Sequence, residues 1–288
     1  MEQDCERILT DDLEQQVLQT AARAALPHGV TCVGACALEE LSTRVPCRAL
    51  SRLPAAGGVV VLLLPYYTGE WGARNVARYA VCDDYHTVAS VILADVCTAL
   101  AQKWPWAKLL PFVDSSPVPE VEAACLAGLG TMGKGGLLLT PQWGSRVFIC
   151  EVVTDLPFGK GKQLPASPCE GCSLCLDVCP TGALQTKSMD KTLCRSYITQ
   201  KKGELTPWEQ QEVRKGGLAW GCDLCTDACP HNRKPAMSPV MRLRQNLCPT
   251  VTEEHLQELL QTKSYGWRGS GVLTRNLRLI TEDERKSD

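Results

Sequence analysis

The first 155 residues carry blocks of apolar positions separated by amphipathic stretches. Residues 58–64 form a β-branched and leucine-rich run with no polar interruption, which is typical of a strand buried on both faces of a sheet. Other apolar runs predict strands at residues 30–37, 109–113 and 147–154. Helical periodicity predicts helices at residues 11–26, 83–103 and 119–129. This alternation of strands and helices favours an α/β sheet domain.

The pattern changes beyond residue 155. Residues 157–168 are rich in Gly, Lys and Pro and have the composition of a linker. The segment that follows, to about residue 235, is rich in loops and cysteines, so we expect metal more than apolar burial to hold it together. After it we predict a helix near residues 252–262 and a tail, residues 265–280, followed by a charged run that frays.

Eight cysteines fall in two blocks that match the ligand spacing of a pair of [4Fe–4S] clusters. The first block is Cys169-Glu-Gly-Cys172-Ser-Leu-Cys175-Leu-Asp-Val-Cys179-Pro180, and the second, which lacks the first cysteine of the pattern, is Cys222-Asp-Leu-Cys225-Thr-Asp-Ala-Cys229-Pro230. In two-cluster ferredoxins three cysteines of a run hold one cluster and the fourth ligates the other. Cluster one is then held by Cys169, Cys172, Cys175 and Cys229. Cluster two is held by Cys179, Cys222, Cys225 and, as the natural candidate for its fourth ligand, Cys194.

Zinc and disulfides are the alternatives for these cysteines. A zinc ribbon would leave several thiolates unused, and disulfides do not suit a reducing compartment. The predicted fold is therefore mixed, of the α+β and α/β classes. It comprises an N-terminal α/β domain (residues 1–160), a bacterial-ferredoxin-like double-cluster domain (161–240) and a short helical tail (241–288).

Composition bounds the compartment and the partners. The chain has 17 cysteines and no apolar signal segment at its N-terminus, which predicts a cytoplasmic protein, and its longest apolar run is too short to span a membrane. The nine cysteines outside the blocks are expected in the core. Residues 1–155 hold 11 Lys and Arg against 17 Asp and Glu, a net charge of −6, and the remainder holds 19 against 15, a net charge of +4. A basic second half suits a phosphate-bearing partner, although a solvated face explains it equally well.

A family resemblance rests on two further segments. They read Arg78-Tyr-Ala-Val-Cys-Asp-Asp-Tyr-His86 and Phe112-Val-Asp-Ser-Ser-Pro-Val-Pro-Glu-Val-Glu-Ala-Ala-Cys-Leu-Ala-Gly-Leu-Gly-Thr-Met-Gly-Lys134. Together with the cysteine blocks they resemble epoxyqueuosine reductase over nearly the whole chain. The resemblance implies a cobalamin-dependent enzyme with two [4Fe–4S] clusters, which converts epoxyqueuosine to queuosine at the wobble base of tRNA. The chain departs from many members in two ways: it carries Lys134-Gly-Gly136 where they have Lys followed by Asn or His, and it ends at Asp288 without their helical-repeat domain. From that end we expect only weak binding of whole tRNA.

The resemblance also implies site residues. It makes Asp114 the general acid that protonates the epoxide oxygen as the ring opens. It also places Asp114 beside the cobalamin, where an apolar wall would raise its pKa. From the residues alone, Asp114 is better interpreted as a turn or helix-capping residue. The remaining cobalamin contacts implied are Lys134, Leu138, Ser196 and Gln200. His86 is expected to shape the pocket and not to ligate cobalt.

The implied partners are a tRNA anticodon loop or its modified nucleoside and an electron donor of the ferredoxin or flavodoxin type. We expect a monomer that does not bind membranes. Two other functions stay open: a corrinoid reductase of the reductive-dehalogenase type acting on a small substrate, and a ferredoxin-like electron carrier. Corrin binding would exclude the carrier, and activity on tRNA would exclude the dehalogenase type.

Overall fold

The computed structural model describes residues 2–42, 53, 57–186 and 188–284. The strands are β1 Cys32–Ala37, β2 Gly58–Pro65, β3 Leu109–Val113, β4 Thr131–Met132, β5 Leu138–Leu139, β6 Val147–Thr154, β7 Leu184–Gln185 and β8 Ser188–Met189. The main sheet has the order β1-β2-β6-β3, and every neighbouring pair is antiparallel. The two remaining strand pairs, β4–β5 and β7–β8, are short hairpins.

Nine helices are present among the described residues. They are α1 Glu2–Ala25, α2 Tyr85–Lys103, α3 Glu120–Leu126, α4 Leu174–Asp177, α5 Arg195–Gln200, α6 Pro207–Gly216, α7 Leu224–Asp227, α8 Leu256–Thr262 and α9 Ser270–Glu284. The four predicted strands and the first three predicted helices are therefore found, with ends that shift by a few residues or, for α1, extend to Glu2. The helix predicted near residues 252–262 is α8, and α9 lies within the predicted helical tail, although no helix was predicted at its position. The short helices α4 to α7 were not predicted. The mixed helix and strand content is as expected.

The sheet lies between two helical layers. Every residue of β2 is buried, because α1 and α2 pack on one face of the sheet and α3 packs on the other. The antiparallel pairing sets this sheet apart from the parallel sheets of doubly wound α/β folds. Asp114 does follow β3 directly, but it does not lie at the carboxyl edge of a parallel sheet, where ligands of doubly wound α/β folds bind.

A third hydrophobic cluster joins distant parts of the chain. It combines Val76 and Ala80 with Trp220 and with Tyr265 and Leu273, so it draws on all three of the predicted domains. The domain boundaries stay a prediction. Within the described residues, no helix is long and apolar enough to cross a membrane.

The cysteine segment is tied to this cluster by the backbone. The amide of Ala77 donates to the carbonyl of Trp220 at 2.7 Å, and Gly221 follows with a φ of 78°. A side chain at Gly221 would collide with the Cβ of Ala77, so glycine allows the close approach. The second cysteine block therefore begins from a fixed point on the N-terminal part of the chain.

Candidate functional site

Asp114 lies where β3 ends and adopts a left-handed backbone conformation, with a φ of 54°. Aspartate is one of the few residues other than glycine that tolerate this region. One carboxylate oxygen, Oδ2, accepts a hydrogen bond from the hydroxyl of Tyr85 at 3.1 Å. The same oxygen lies 3.6 Å from Nε2 of His86. The turn after β3 thus presents a carboxylate to the first turn of α2.

Asp84 holds that first turn in place. It is the N-cap of α2, and its side chain accepts a hydrogen bond from the backbone N–H of His86 at 3.0 Å. The same oxygen lies 2.7 Å from Nδ1 of the His86 ring, so the imidazole bridges two carboxylates. His86 is therefore an ion-pair partner of Asp114, which the sequence did not predict.

The C-terminal part of the chain braces the same motif. The backbone N–H of Asp84 donates to the carbonyl of Thr262 at 2.7 Å. The ammonium of Lys263, whose side chain is 1% exposed, donates to Asp83 at 2.9 Å and to the carbonyl of Asn246. The ends of α2 and α8 are thereby held together beside the site.

The protonation of Asp114 and His86 differs from the prediction for Asp114. The neighbouring imidazole of His86 lowers the pKa of Asp114 despite partial burial, and the hydrogen bond from Tyr85 lowers it further. The carboxylates of Asp114 and Asp84 raise the pKa of His86 to about 9. The prediction that an apolar wall raises the pKa of Asp114 is wrong, because its side chain is 60% exposed and paired with an imidazole. At neutral pH the proton of this pair lies on His86.

Asp114 opens into a cavity of about 190 Å³. The cavity is lined by Tyr85, Asp114, Glu120, Val121, Leu137, Leu138, Ser145, Val147, Phe148 and Ile149. Two of its lining residues, Tyr85 and Phe148, stack their rings with centroids 4.0 Å apart and an interplanar angle of 11°. The cavity therefore has an apolar wall with a carboxylate at its mouth.

A second pocket, lined by cysteines, adjoins this cavity. It contains the thiols of Cys169, Cys175, Cys225 and Cys229, and it shares Leu137 and Ser145 with the Asp114 cavity. Leu137 and Ser145 thus form a wall that the two spaces share. That wall is fixed from the cysteine side by Asn232. The side-chain oxygen of Asn232 accepts a hydrogen bond from the backbone N–H of Ser145 at 2.8 Å, and the side-chain nitrogen of Asn232 donates one to the Ser145 hydroxyl at 2.9 Å.

The thiols group as the ligand sets require. The pKa of Cys175 is raised by burial and by its neighbours Cys169, Cys229 and Cys172, so Cys229 lies with the first block. The pKa of Cys225 is raised to about 12 by burial and then by Cys222, Cys194, Cys179 and Cys175. Cys194 therefore lies close to the thiols of cluster two, although the ligand assignment itself stays a prediction.

Within the described ranges, no three His, Cys, Asp or Glu side chains converge closely enough to hold one metal ion. A [4Fe–4S] cluster takes four thiolates spread around a cube. Lys134 contacts one of the proposed ligands, because its backbone N–H donates to the sulfur of Cys169 at 3.4 Å.

The predicted cobalamin contacts fall in three places. Leu138 is buried and lines the Asp114 cavity. Lys134 instead lines the cysteine pocket, and its ammonium donates to the carbonyl of Cys172. Ser196 and Gln200 lie together on α5, where the Gln200 amide is 3.4 Å from the hydroxyls of Ser196 and of the half-buried Tyr79. Their roles toward cobalamin stay predictions.

The glycine-rich segment after α3 has uncrowded backbone. Gly128 and Gly136 have positive φ and no atom within 4 Å of an added Cβ. At Gly135, which lines the cysteine pocket, an added Cβ would meet only Cys175, with its sulfur 3.6 Å away. The backbone beside the cysteine pocket is therefore open to the close approach of a bound group.

Two glutamates near the cavity, the half-buried Glu120 and the buried Glu151, were not predicted from the sequence. Burial raises the pKa of Glu120 to about 7 and that of Glu151 to about 8. Glu151 is 1% exposed, its Oε2 accepts from the hydroxyl of Ser116, and its Oε1 has no hydrogen-bond partner among the described residues. Its position in the apolar run of β6 was the available signal, since a charged residue there must be buried.

Glu151 should make the protein less stable as the pH rises. Its folded-state pKa is raised, so its contribution is fully present below the unfolded value of 4.5 and is lost as the pH rises through about 8. We expect Glu151→Gln to remove this loss, so that at pH above 8 the variant unfolds at a higher temperature than wild type. The free energy of unfolding of the two proteins should differ on the order of a few kcal/mol at that pH. Thermal unfolding as a function of pH measures it, and equal pH dependence in both proteins would contradict a neutral Glu151.

The fold and the site define a class of protein: a mixed α/β domain, with an acidic cavity, joined to a double iron–sulfur segment. The family model described as epoxyqueuosine reductase QueG, DUF1730, matches residues 47–115. A model of the 4Fe-4S double cluster binding domain matches residues 168–232, which confirms the prediction of two [4Fe–4S] clusters. The epoxyqueuosine reductase of Cyclobacterium marinum is 32% identical over 243 residues, covering 79% of this chain and 77% of that protein. The chain therefore belongs to the epoxyqueuosine reductase family, as the resemblance predicts.

Other relatives extend further than this chain. The epoxyqueuosine reductase of Bacillus cereus is 31% identical over 243 residues, which cover 78% of this chain and 63% of that protein. A crystal structure of a selenomethionine-labelled epoxyqueuosine reductase has the same fold, with a TM-score of 0.78, 25% identity, and coverage of 92% of this chain and 81% of that one. A second epoxyqueuosine reductase, solved with an epoxyqueuosine-modified tRNA stem loop, gives a TM-score of 0.79 at 24% identity.

Proposed function

We propose that this chain is a cobalamin-dependent iron–sulfur reductase that converts epoxyqueuosine to queuosine in tRNA. One observation carries the proposal: the cavity that holds Asp114 shares Leu137 and Ser145 with the cysteine pocket. Electrons stored in the clusters would have to cross only that wall to reach a group in the cavity. Family membership supplies the substrate, since its members are named for the reduction of epoxyqueuosine.

The reaction removes the epoxide oxygen as water and leaves a carbon–carbon double bond. It consumes two electrons and two protons for each oxygen released. Clusters deliver electrons one at a time, and reduced cobalamin supplies a strong nucleophile. The apolar wall with Leu138 would face the corrin, and Ser196 and Gln200 would contact its side-chain amides. An external donor of the ferredoxin or flavodoxin type would reduce the clusters.

Asp114 and His86 would deliver a proton to the epoxide oxygen. Asp114 lies at the mouth of the cavity and is deprotonated at rest, while His86 holds a proton at neutral pH. We infer that Asp114 passes to the opening oxygen a proton that it takes from His86. The pair would act as one general acid, which removes the need for a protonated aspartate in the resting site.

A tRNA loop suits the open mouth of this cavity. The side chain of Asp114 is 60% exposed and that of His86 is 38% exposed, so the acid pair can be reached from solvent. The wobble base is single-stranded and can be turned into a pocket without breaking a duplex. The relative solved with a modified tRNA stem loop supports the same kind of partner.

Turnover with defined substrates tests the proposal. The protein would be reconstituted anaerobically with iron, sulfide and cobalamin, and supplied with a strong reductant. Epoxyqueuosine would be offered as whole tRNA, as an anticodon stem loop and as the free nucleoside, followed by mass spectrometry of the nucleoside. We expect loss of one oxygen atom in the stem loop. Unchanged epoxyqueuosine in all three forms, with clusters and cobalamin bound, would overturn the substrate assignment.

A further inference from the structure

The cavity contains a second carboxyl group that the Asp114–His86 pair does not use. Glu120 is the first residue of α3 and lines the same cavity as Asp114. Its Oε1 is buried and has no hydrogen-bond partner in the part of the chain that the structure describes. An ionised carboxylate there would lose hydration at Oε1 with no hydrogen bond to replace it. The carboxyl group is therefore favoured in its neutral form, with an O–H group to donate.

The groups around Glu120 do not supply a counter-charge. Asp114 faces it from the end of β3, Tyr85 from α2, and Cys150 and Glu151 from β6. The described residues that line the cavity include no lysine and no arginine. Burial and the charge of Asp114 raise the pKa of Glu120 to about 7, and a backbone hydrogen bond from Ser116 offsets part of that rise.

Glu122, two residues further along α3, has a different environment. Its two oxygens accept hydrogen bonds from the backbone N–H of Ser42 at 2.7 Å and from the Ser42 hydroxyl at 2.5 Å. It does not line the cavity. The helix thus carries one buried glutamate that is fully bonded and one that is left to donate into the cavity.

A second buried carboxyl group lies behind Glu120. The Ser116 hydroxyl donates to Glu151, while the Ser116 backbone bonds Glu120, so one residue contacts both carboxyl groups. Glu151 is more deeply buried than Glu120, and its pKa is raised further, to about 8. It can therefore hold a proton at a pH where Glu120 has released its own.

We propose that Glu120 is a second proton donor to the cavity, which supplies one of the two protons that reductive removal of an epoxide oxygen consumes. The other proton comes from the Asp114–His86 pair. Two electrons enter from the clusters, the carbon–oxygen bonds of the epoxide break, and the oxygen leaves as water with both protons. This inference rests on the proposed function, because it assumes that the epoxide enters the Asp114 cavity.

Glu120→Gln tests the assignment because it keeps the size and polarity of the side chain and removes the proton. At a pH one unit below the pKa of Glu120 we expect turnover to fall on the order of 10²-fold. Wild-type turnover should decline as the pH rises through about 7, where Glu120 loses its proton, and the variant should lack that decline. Glu120→Asp keeps a titrating group and should retain a sloping pH profile. Glu122→Gln is the matched control and should behave as wild type.

A direct readout separates this inference from the proposed function. Infrared difference spectra of the substrate-free protein, wild type against Glu120→Gln, should show the C=O stretch of a protonated carboxyl group that disappears as the pH rises through about 7. An absent band, or a variant with wild-type turnover and an unchanged pH profile, would overturn the role of Glu120. If the band titrates as expected but no form of epoxyqueuosine is reduced, Glu120 is still a neutral acid and the substrate assignment fails instead.

Discussion

Asp114→Asn is expected to lower turnover of epoxyqueuosine on the order of 10²- to 10⁴-fold while leaving clusters and cobalamin in place. Asparagine also tolerates the left-handed conformation at this position, so the turn after β3 should keep its shape. The amide cannot accept a proton from His86 and pass it to an oxygen. Nucleoside mass spectrometry gives the rate, and the absorption spectrum reports the bound cofactors.

The same variant should change the titration of His86. The contact with Asp114 is the largest cause of the raised pKa of His86. In Asp114→Asn, the pKa of His86 should therefore fall from about 9 toward its ordinary value of 6.5. Nuclear magnetic resonance of the imidazole measures that shift. The control is Asp95→Asn, which disrupts an Asp–His pair of the same kind, with Nε2 of His28 2.8 Å from Asp95, but away from the cavity. Full activity of Asp114→Asn would show that the proton comes from another group.

Cys229→Ala is expected to remove cluster one although it leaves the first cysteine block intact. Two clusters correspond to about eight irons per chain, and this variant should retain about four. Cys194→Ala should also retain about four, because it removes the fourth ligand of cluster two. Each variant should lose turnover, since electrons can no longer pass through both clusters to the cavity.

Anaerobic reconstitution followed by iron and sulfide analysis measures both losses. Cys248→Ala is the control, because Cys248 is half-buried and lies outside both blocks, where its sulfur donates to the carbonyl of Thr250. This variant should keep about eight irons. A full iron content in Cys229→Ala would contradict the crossed ligand sets, and a full content in Cys194→Ala would assign the fourth ligand to another side chain.

The sequence predicted the central elements because their burial dictates their composition. β2 and β6 are apolar runs bounded by turn residues, and both occur where predicted. Strand direction could not be predicted, because it depends on which strands pair in the folded chain. The tail was underestimated, because α9 interrupts its apolar face with arginines that bond other segments, such as Arg275 to the carbonyl of Lys201.

The charge of Asp114 could not be predicted from the sequence. The cysteines stand out by their spacing, whereas Asp114 became a candidate only through the family resemblance. The protonation of Asp114 depends on His86, which lies 28 residues earlier and reaches the same turn only through the packing of α2 against β3. Glu120 resembles any acidic residue in the first turn of a helix, so its burial in a cavity could not be inferred from its sequence context.

The bracing of the Asp84–His86 turn by Thr262 and Lys263 has a consequence for the order of assembly during synthesis. Those two residues leave the ribosome more than thirty positions after Cys229, the last cysteine of the second block. The cysteines are therefore all available for cluster insertion before the acid pair can acquire its final contacts. Translation itself delays completion of the proton-donating site until the electron-carrying part of the chain has emerged.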